Sequence, residues 1–328
     1  MNIPMNTVPL THHLPNVSRL VYGCMGFGGG WDQQPISKSD LNIARAALDA
    51  ALEVGINFFD HADIYTRGKA ETVFGQLLKE RPGLREKLYI QSKCGIRFAD
   101  NRGNPGRYDF SKGWIIGSVE ASLKRLDIDY LDVLLLHRPD PLMEPEEVAE
   151  AFSALKNAGK VRYFGVSNMQ LHQIQFLQTA LSDPLVVNQI EISLARLDWL
   201  EEGVLAGNPA GRDVNFTAGT LEYCRRSGVQ LQSWGSLAQG LFSGRAGSEQ
   251  TESVRNTAQL VAKLAEEYGV SKEAIVLGWL MRHPANIQAL IGTVNGDRIK
   301  ACAQAESVRL SREQWYSLYV SARGTPLP

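Results

Sequence analysis

Eight short apolar runs recur along the chain, and each is followed by a stretch long enough and amphipathic enough to form a helix. The runs are Leu20–Gly23, Ile56–Asp60, Leu88–Lys93, Leu131–His137, Arg162–Ser167, Leu185–Gln189, Val229–Ser233 and Ile287–Ile291. Most are too uniformly apolar to present one wet and one dry face, which marks parallel strands buried on both sides. Between them, Ser39–Glu53 places Leu41, Ala44, Ala47, Leu48, Ala51 and Leu52 at helical spacing, with Ser39 as the expected cap and Gly55 as the stop. In Glu146–Ala158, Pro145 suits the first turn and Gly159 the end. Further helices are expected at Lys69–Lys79, Lys112–Leu126, Gln170–Leu181, Ala218–Ser227, Lys272–Arg282 and Arg298–Ala305. Eight strand–helix units predict an α/β fold, a single (β/α)8 TIM barrel over residues 18–328. Two extra helices, Ser253–Tyr268 and Ser311–Ser321, fall outside the repeat, and residues 1–17 form an N-terminal arm expected to be mobile. A doubly wound sheet is the alternative, but its dinucleotide-binding form needs GxGxxG after the first strand, and no register of Gly23–Trp31 supplies it.

Composition narrows the classes of partner. The 328 residues carry 34 Lys+Arg against 35 Asp+Glu, so no broad electrostatic footprint for nucleic acid or anionic lipid is expected. At 44% hydrophobic residues, the chain can bury a large core, and nothing approaches 18 consecutive apolar residues. Met1–Val17 lacks a basic start and an apolar run, so it does not read as a signal peptide, and a cytoplasmic location is expected. Cys24, Cys94, Cys224 and Cys302 form no CxxC pair and read as free thiols. Asp60-His61-Ala62-Asp63 looks like a metal cluster, yet adjacent strand residues face opposite sides, so no metal is expected. No heptad seam marks an oligomer interface.

Barrels of this kind build their active sites at the C-terminal ends of the strands. Six consecutive apolar runs close on polar or aromatic residues: Asp60, Lys93, His137, Ser167-Asn168, Asn188-Gln189 and Ser233-Trp234. Tyr65 follows Asp60 by five residues, near enough to fold back over the barrel axis. Lowering a tyrosine pKa by two units takes about 2.7 kcal/mol. An ammonium at roughly 4 Å supplies up to about 4 kcal/mol at an effective dielectric near 20. Lys93, kept charged by Asp60, is therefore expected to lower the Tyr65 pKa, with His137 donating to a carbonyl oxygen or sharing the proton with Tyr65. Such a group protonates an alkoxide as it forms, the demand of carbonyl reduction by hydride transfer.

At these residues the sequence resembles the aldo-keto reductase superfamily. The resemblance runs from Gly23 and Met25-Gly26 through Gly55-Ile56-Asn57-Phe58-Phe59-Asp60, Ala62-Asp63-Ile64-Tyr65 and Glu71-Thr72-Val73-Phe74-Gly75 to Ser92-Lys93. It continues in Leu134-Leu135-Leu136-His137-Arg138-Pro139-Asp140, Gly159-Lys160-Val161-Arg162, Gly165-Val166-Ser167-Asn168, Asn188-Gln189-Ile190-Glu191 and Ile291-Gly292-Thr293. It implies a (β/α)8 barrel that holds an extended nicotinamide cofactor, and a catalytic tetrad of Asp60, Tyr65, Lys93 and His137 with Tyr65 as the acid/base. It also implies cofactor contacts at Met25, Ser167, Asn168, Gln189, Trp234, Ser236, Leu237, Gly292, Thr293 and Arg298. Ser167, Asn168 and Gln189 would hold the carboxamide and Trp234 would stack on the nicotinamide.

The sequence also departs from the family pattern. His61 stands where Thr is common, Trp234-Gly235-Ser236-Leu237 replaces the commoner Tyr-Ser-Pro-Leu, and Val294-Asn295 lacks the usual basic residue. Arg298 can still pair with a 2′-phosphate, which favours NADPH over NADH. Trp31 and Trp199 fall in loops expected to overhang the mouth, as walls of a substrate pocket or as loop packing, and Arg97–Ser111 reads as a surface loop. The leading expectation is NADPH-dependent reduction of a small aldehyde or ketone. An NAD-dependent aldose dehydrogenase, a Schiff-base aldolase using Lys93 and a low-turnover regulatory subunit, a role some family members play on channels, remain alternatives.

Overall fold

The computed structural model describes residues 8–245 and 250–328. Eight parallel strands close into a barrel: β1 (Leu20–Gly23), β2 (Phe58–Asp60), β3 (Tyr89–Cys94), then, after a two-stranded antiparallel hairpin of β4 (Ile96–Arg97) and β5 (Arg107–Tyr108), β6 (Leu131–Leu136), β7 (Val161–Ser167), β8 (Val187–Glu191), β9 (Gln230–Trp234) and β10 (Gln288–Ile291). Neighbours in the barrel follow chain order, and β10 pairs with β1 to complete the ring. Each expected strand is present, with ends moved by a residue or two. The hairpin replaces what the sequence reads as a plain surface loop; two-residue strands leave too little alternation to recognise.

The outer layer contains α1 (Lys38–Glu53), α2 (Lys69–Lys79), α3 (Lys112–Leu126), α4 (Pro145–Asn157), α5 (Leu171–Gln178), α6 (Asp198–Val204), α7 (Thr220–Ser227), α8 (Glu252–Tyr268), α9 (Lys272–Met281), α10 (Gly296–Ala303) and α11 (Arg312–Arg323). The cap of α1 is Ser37 rather than Ser39: Ser37 and Asp40 form a reciprocal capping box that starts the helix earlier. The two helices outside the repeat, α8 and α11, pack on one another, and α11 is fastened to α9 by stacked indoles. Trp279 and Trp315 lie 5.2 Å apart and each donates its indole N–H to the other's main-chain carbonyl. Among the described residues no helix is long and apolar enough to cross a membrane, and all four cysteines are free and buried.

Period-two alternation decides what fills the barrel. Towards its N-terminal end the lumen is apolar, with Val21, Phe58, Val133, Leu135, Val187 and Leu290 in one cluster. Gly165 belongs to this layer by necessity, since a Cβ there would lie 2.7 Å from both Leu135 Cδ2 and the Val187 carbonyl oxygen. The described part of the arm is packed rather than mobile. Val8, Leu10, Leu14 and Val17 are buried in the same cluster, closing the barrel floor, and the Leu10 amide donates to Gln230 Oε1. Leu10 is 0% exposed. Leu10→Ala is therefore expected to lower unfolding free energy by about 2–5 kcal/mol, as for other fully buried leucines, in urea titrations. A loss below about 1 kcal/mol would mean that the plug is dispensable.

Candidate active site

Above the apolar layer the same alternation turns polar side chains inward. Asp60 on β2, Gln91 and Lys93 on β3, Gln189 on β8, Gln232 on β9 and Gln288 on β10 are all buried, and the strand register pairs Asp60 with Gln91, Gln189 with Gln232, and Gln232 with Gln288. Lys93 Nζ donates to Asp60 Oδ2 at 2.5 Å, to the His61 carbonyl at 2.9 Å and to the Tyr65 hydroxyl at 3.0 Å. Asp60 Oδ1 accepts from Gln91 Nε2 at 2.5 Å and from Gln189 Nε2 at 3.0 Å. Both amides also donate to Gln232 Oε1, and Gln232 passes the chain on to Gln288. A carboxylate out of water needs several donors, and the glutamines supply them.

Tyr65 is carried by a turn whose next two residues, Thr66 and Arg67, have φ of 47° and 61°. Such left-handed geometry in a β-branched residue persists only where neighbours over-determine it. Here Thr66 Oγ1 donates to the Phe27 carbonyl, Arg67 Nε donates to the Trp31 carbonyl, and the Arg67 guanidinium lies 4.7 Å over the Phe98 ring. The Tyr65 turn is thus tied to the glycine-rich β1–α1 loop and to the hairpin connection. Trp31 itself is 47% exposed, with its ring edge-on to Tyr65 at 6.4 Å.

The balance of charge and burial reverses one sequence-based expectation. Burial raises the Tyr65 pKa above its ordinary value; Lys93 pulls it down, Asp60 pushes it back up, and the net shift is upward. Tyr65 is therefore a phenol at neutral pH. Burial alone would depress Lys93, but Asp60 and Tyr65 outweigh it and hold its pKa above the usual lysine value. Charged, and with three donors committed, Lys93 offers no lone pair for a Schiff base. His137, just beyond β6, sits edge-on to Tyr65 at 6.0 Å. Burial, then Lys93, then Arg138 hold its pKa well below the ordinary value, so the ring is neutral. Its Nδ1 has no partner among the described residues.

The remaining candidates separate into those that face the mouth and those that do not. Trp234 donates its indole N–H to Asn168 Oδ1, and Asn168 Nδ2 donates to the His137 carbonyl, so both stand beside the tetrad. Met25 is 52% exposed, and Leu237 packs half-buried beneath the turn after β9. Ser167 and Ser236 are buried and hydrogen-bonded to main-chain carbonyls, of Gln189 and Ser233 respectively. Gln189 lies deep enough to bind Asp60. Gly26 and Gly292 lie together beyond β1 and β10, and a Cβ on Gly26 would lie 3.1 Å from Val294 Cγ1 and 3.7 Å from the Gly292 carbonyl oxygen. Thr293 accepts from Tyr22 and from the Asn295 amide. Arg298, at the start of α10, stands 3.3 Å from Glu273.

Trp199 is packed and also borders a cleft. The connection after β8 contains α6, seven residues and too short for periodicity to reveal, which turns Trp199 inward against Trp279 and His283. At 2% exposure it is largely packed, and it also lines the cleft between the ends of β7, β8 and β9. Asp60-His61-Ala62-Asp63 diverges as alternation requires: Asp60 faces the lumen, His61 packs on Phe74, and burial beside Glu71 pushes Asp63 up to about 7. Sequence reasoning missed Gln91, Gln232 and Gln288, although glutamines spaced by two in Gln230-Leu231-Gln232 were a visible signal of an inward polar face.

A family model described as the Aldo/keto reductase family matches residues 19–319. The chain is 38% identical to a 6-dehydroglucose reductase of Agrobacterium fabrum over 98% of this chain and 99% of that protein. It is 36% identical to the oxidoreductase YcsN of Bacillus subtilis over 95% and 96%. Among solved structures, an aldo-keto reductase from Klebsiella pneumoniae in complex with NADPH superposes with a TM-score of 0.70 at 25% identity, covering 95% of this chain and 92% of that one.

The site also sets an acid limit on the fold. His61 is 0% exposed, neither ring nitrogen has a partner among the described residues, and burial followed by Lys93 lowers its pKa to about 3. Because the unfolded chain binds the proton near pH 6.5 and the fold refuses it, stability falls as pH drops from about 6.5 toward 3. From pH 6.5 to 5 this amounts to about 2 kcal/mol. His61→Leu should lose that much less stability over the same interval in paired denaturation curves. Parallel pH dependence in the two proteins would show that His61 is not the group involved.

Proposed function

Since the chain belongs to the aldo/keto reductase family, we propose that it reduces a small aldehyde or ketone to the alcohol with NADPH, through Asp60, Tyr65, Lys93 and His137. The observation that carries this reading is the Tyr65 hydroxyl held 3.0 Å from a buried, charged Lys93 at the C-terminal mouth of the barrel. A phenol with a raised pKa is a stored proton, as reduction needs. Tyr65 delivers it to the carbonyl oxygen, and the phenolate left behind is held by the ammonium until solvent restores the proton. His137, neutral, donates a hydrogen bond to the same oxygen. Asp60 keeps Lys93 charged and aimed throughout the cycle.

A bound reduced nicotinamide supplies the hydride to the carbonyl carbon. The chain's groove suits that group. Asn168 and Trp234 stand at the mouth, Gly26 and Gly292 keep side chains out of its path, and Asn295 caps the N-terminus of α10, where phosphate is favoured. Met25, Ser167, Gln189, Ser236, Leu237 and Thr293 complete the holding set, with Gln189 acting also through Asp60. The relative named 6-dehydroglucose reductase supports a sugar aldehyde as the substrate class.

Two measurements test the reading. Tyr65→Phe should reduce kcat by about 10²–10⁴, the range of a lost general acid, with cofactor affinity retained in fluorescence titration; a near-normal kcat would remove Tyr65 from the mechanism. For the cofactor, Arg298→Ala should weaken NADPH at least ten-fold and NADH far less, as expected for a lost phosphate fork. Glu273 beside Arg298, and Val294-Asn295 in place of a basic residue, favour NADH. Equal affinities in the wild type would therefore shift the assignment to an NAD-dependent sugar dehydrogenase on the same tetrad.

A further inference from the structure

Beside the tetrad, a cleft of about 400 Å³ opens between the ends of β7, β8 and β9 and the connection that follows β8. Arg138 stands at its inner edge. It follows His137 directly in the chain, its guanidinium lies 5.5 Å over the Trp234 ring, and it makes no ion pair or hydrogen bond among the described residues. Most arginines near this mouth are engaged: Arg67 on the Trp31 carbonyl, Arg97 on Asp109, and Arg125 on Glu71. An unengaged guanidinium one residue from the catalytic imidazole is a donor fork left for a ligand.

We propose that Arg138 and this cleft form a substrate subsite for the hydroxyl-bearing chain of a sugar-like carbonyl compound, an assignment that rests on the carbonyl-reduction reading above. Two further observations choose the ligand chemistry. First, the cleft carries Arg138 and Arg196 but also Glu191 and Asp198, with Arg196 Nε 3.6 Å from Glu191. The charges offset one another, so an anion gains little there. Second, the lining mixes donors and acceptors around aromatic surface: Asn215 is exposed without a hydrogen bond among the described residues, and Trp234 and Phe216 supply flat apolar area. A hydroxyl both donates and accepts, which suits such a lining where a carboxylate or phosphate does not. The cleft adjoins His137, since Asn168 donates to the His137 main-chain carbonyl and accepts from Trp234.

A site built to bond hydroxyls rejects analogues that lack them, because its polar groups are then left unpaired. The test compares D-glyceraldehyde with propanal, an aldehyde of the same chain length, in the wild type, Arg138→Met and Asn215→Ala. Succinic semialdehyde serves as the anionic comparator, and glucitol as a ligand read by tryptophan fluorescence without turnover. The wild type should prefer glyceraldehyde by ten-fold or more in kcat/KM. Arg138→Met should erase most of that preference through KM, and should abolish the saturable glucitol signal. Equal use of glyceraldehyde and propanal by the wild type overturns the subsite while leaving the reductase reading intact. So does an equal loss on both substrates through kcat in Arg138→Met, which would make Arg138 a positioning residue for His137. Preference for succinic semialdehyde replaces the polyol subsite with an anion site. If no aldehyde is reduced with either cofactor, the reductase reading itself fails and glucitol binding alone decides. A signal lost in Arg138→Met upholds the subsite, and no signal overturns it.

Discussion

The buried pair of Asp60 and Lys93 organises the upper half of the barrel. Removing two charges from water costs several kcal/mol each, and attraction repays this only when the spare lone pairs and protons are also satisfied. That requirement explains the composition of the lumen. Asp60 Oδ1 takes amide donors from Gln91 on one side of the barrel and Gln189 on the other, and Gln232 accepts from both. Four strands are therefore committed to the orientation of one carboxylate. A leucine-filled barrel of the same size would be simpler to stabilise, but it would have no means of holding an ammonium in its interior. The apolar layer beneath, sealed by Leu10 and Leu14, keeps water from reaching the pair from below.

Holding the ammonium does not by itself activate Tyr65 as a base. Lys93 spends its charge on Asp60 as well as on Tyr65, and Asp60 repels a phenolate, so burial prevails and the hydroxyl keeps its proton. The expectation from sequence allowed for some attenuation by Asp60 but left out burial, the largest of the opposing effects. The resulting polarity suits a proton donor. The turn bearing the phenol is held by contacts that a generic loop lacks, with Thr66 and Arg67 in left-handed conformations and anchored to Phe27, Trp31 and Phe98. Tyr65 thus gains a fixed position from the β1–α1 loop and the hairpin connection, segments that are remote in sequence.

What was legible in the sequence follows from the range of the signal. Strands buried on both faces leave apolar runs, and all eight were readable, as were the long helices with three or more turns. Asp60, Lys93 and His137 were readable because a strand must end somewhere and only a mouth collects an acid, an amine and an imidazole at successive ends. Elements shorter than two helical turns, such as α6, left no periodic trace. Ser37, not Ser39, caps α1 because it is the serine with an acid, Asp40, three residues on. The glutamine network stayed hidden because its members are spread over β3, β8, β9 and β10, and only barrel closure brings them together.

The division between legible and hidden parts matches a division of labour. Asp60, Lys93 and His137 are set by strand ends and register, which long apolar runs specify strongly, since a one-residue slip would move every inward side chain to the other face. The surfaces around it belong to the segments with the least local pattern: the glycine-rich stretch before α1, the hairpin after β3, and the connection that carries α6. These can change length and sequence without disturbing the register that aims Asp60, Lys93 and Gln189. Tyr65 is the exception, since its turn is anchored to Phe27, Trp31 and Phe98 on those same segments. Arg138 lies at the junction of the two regimes. Its backbone is fixed by the end of β6, next to His137, yet its side chain is free of the polar network that immobilises the neighbouring strand ends. A residue so placed can respond to what the loops admit without altering how the proton is held.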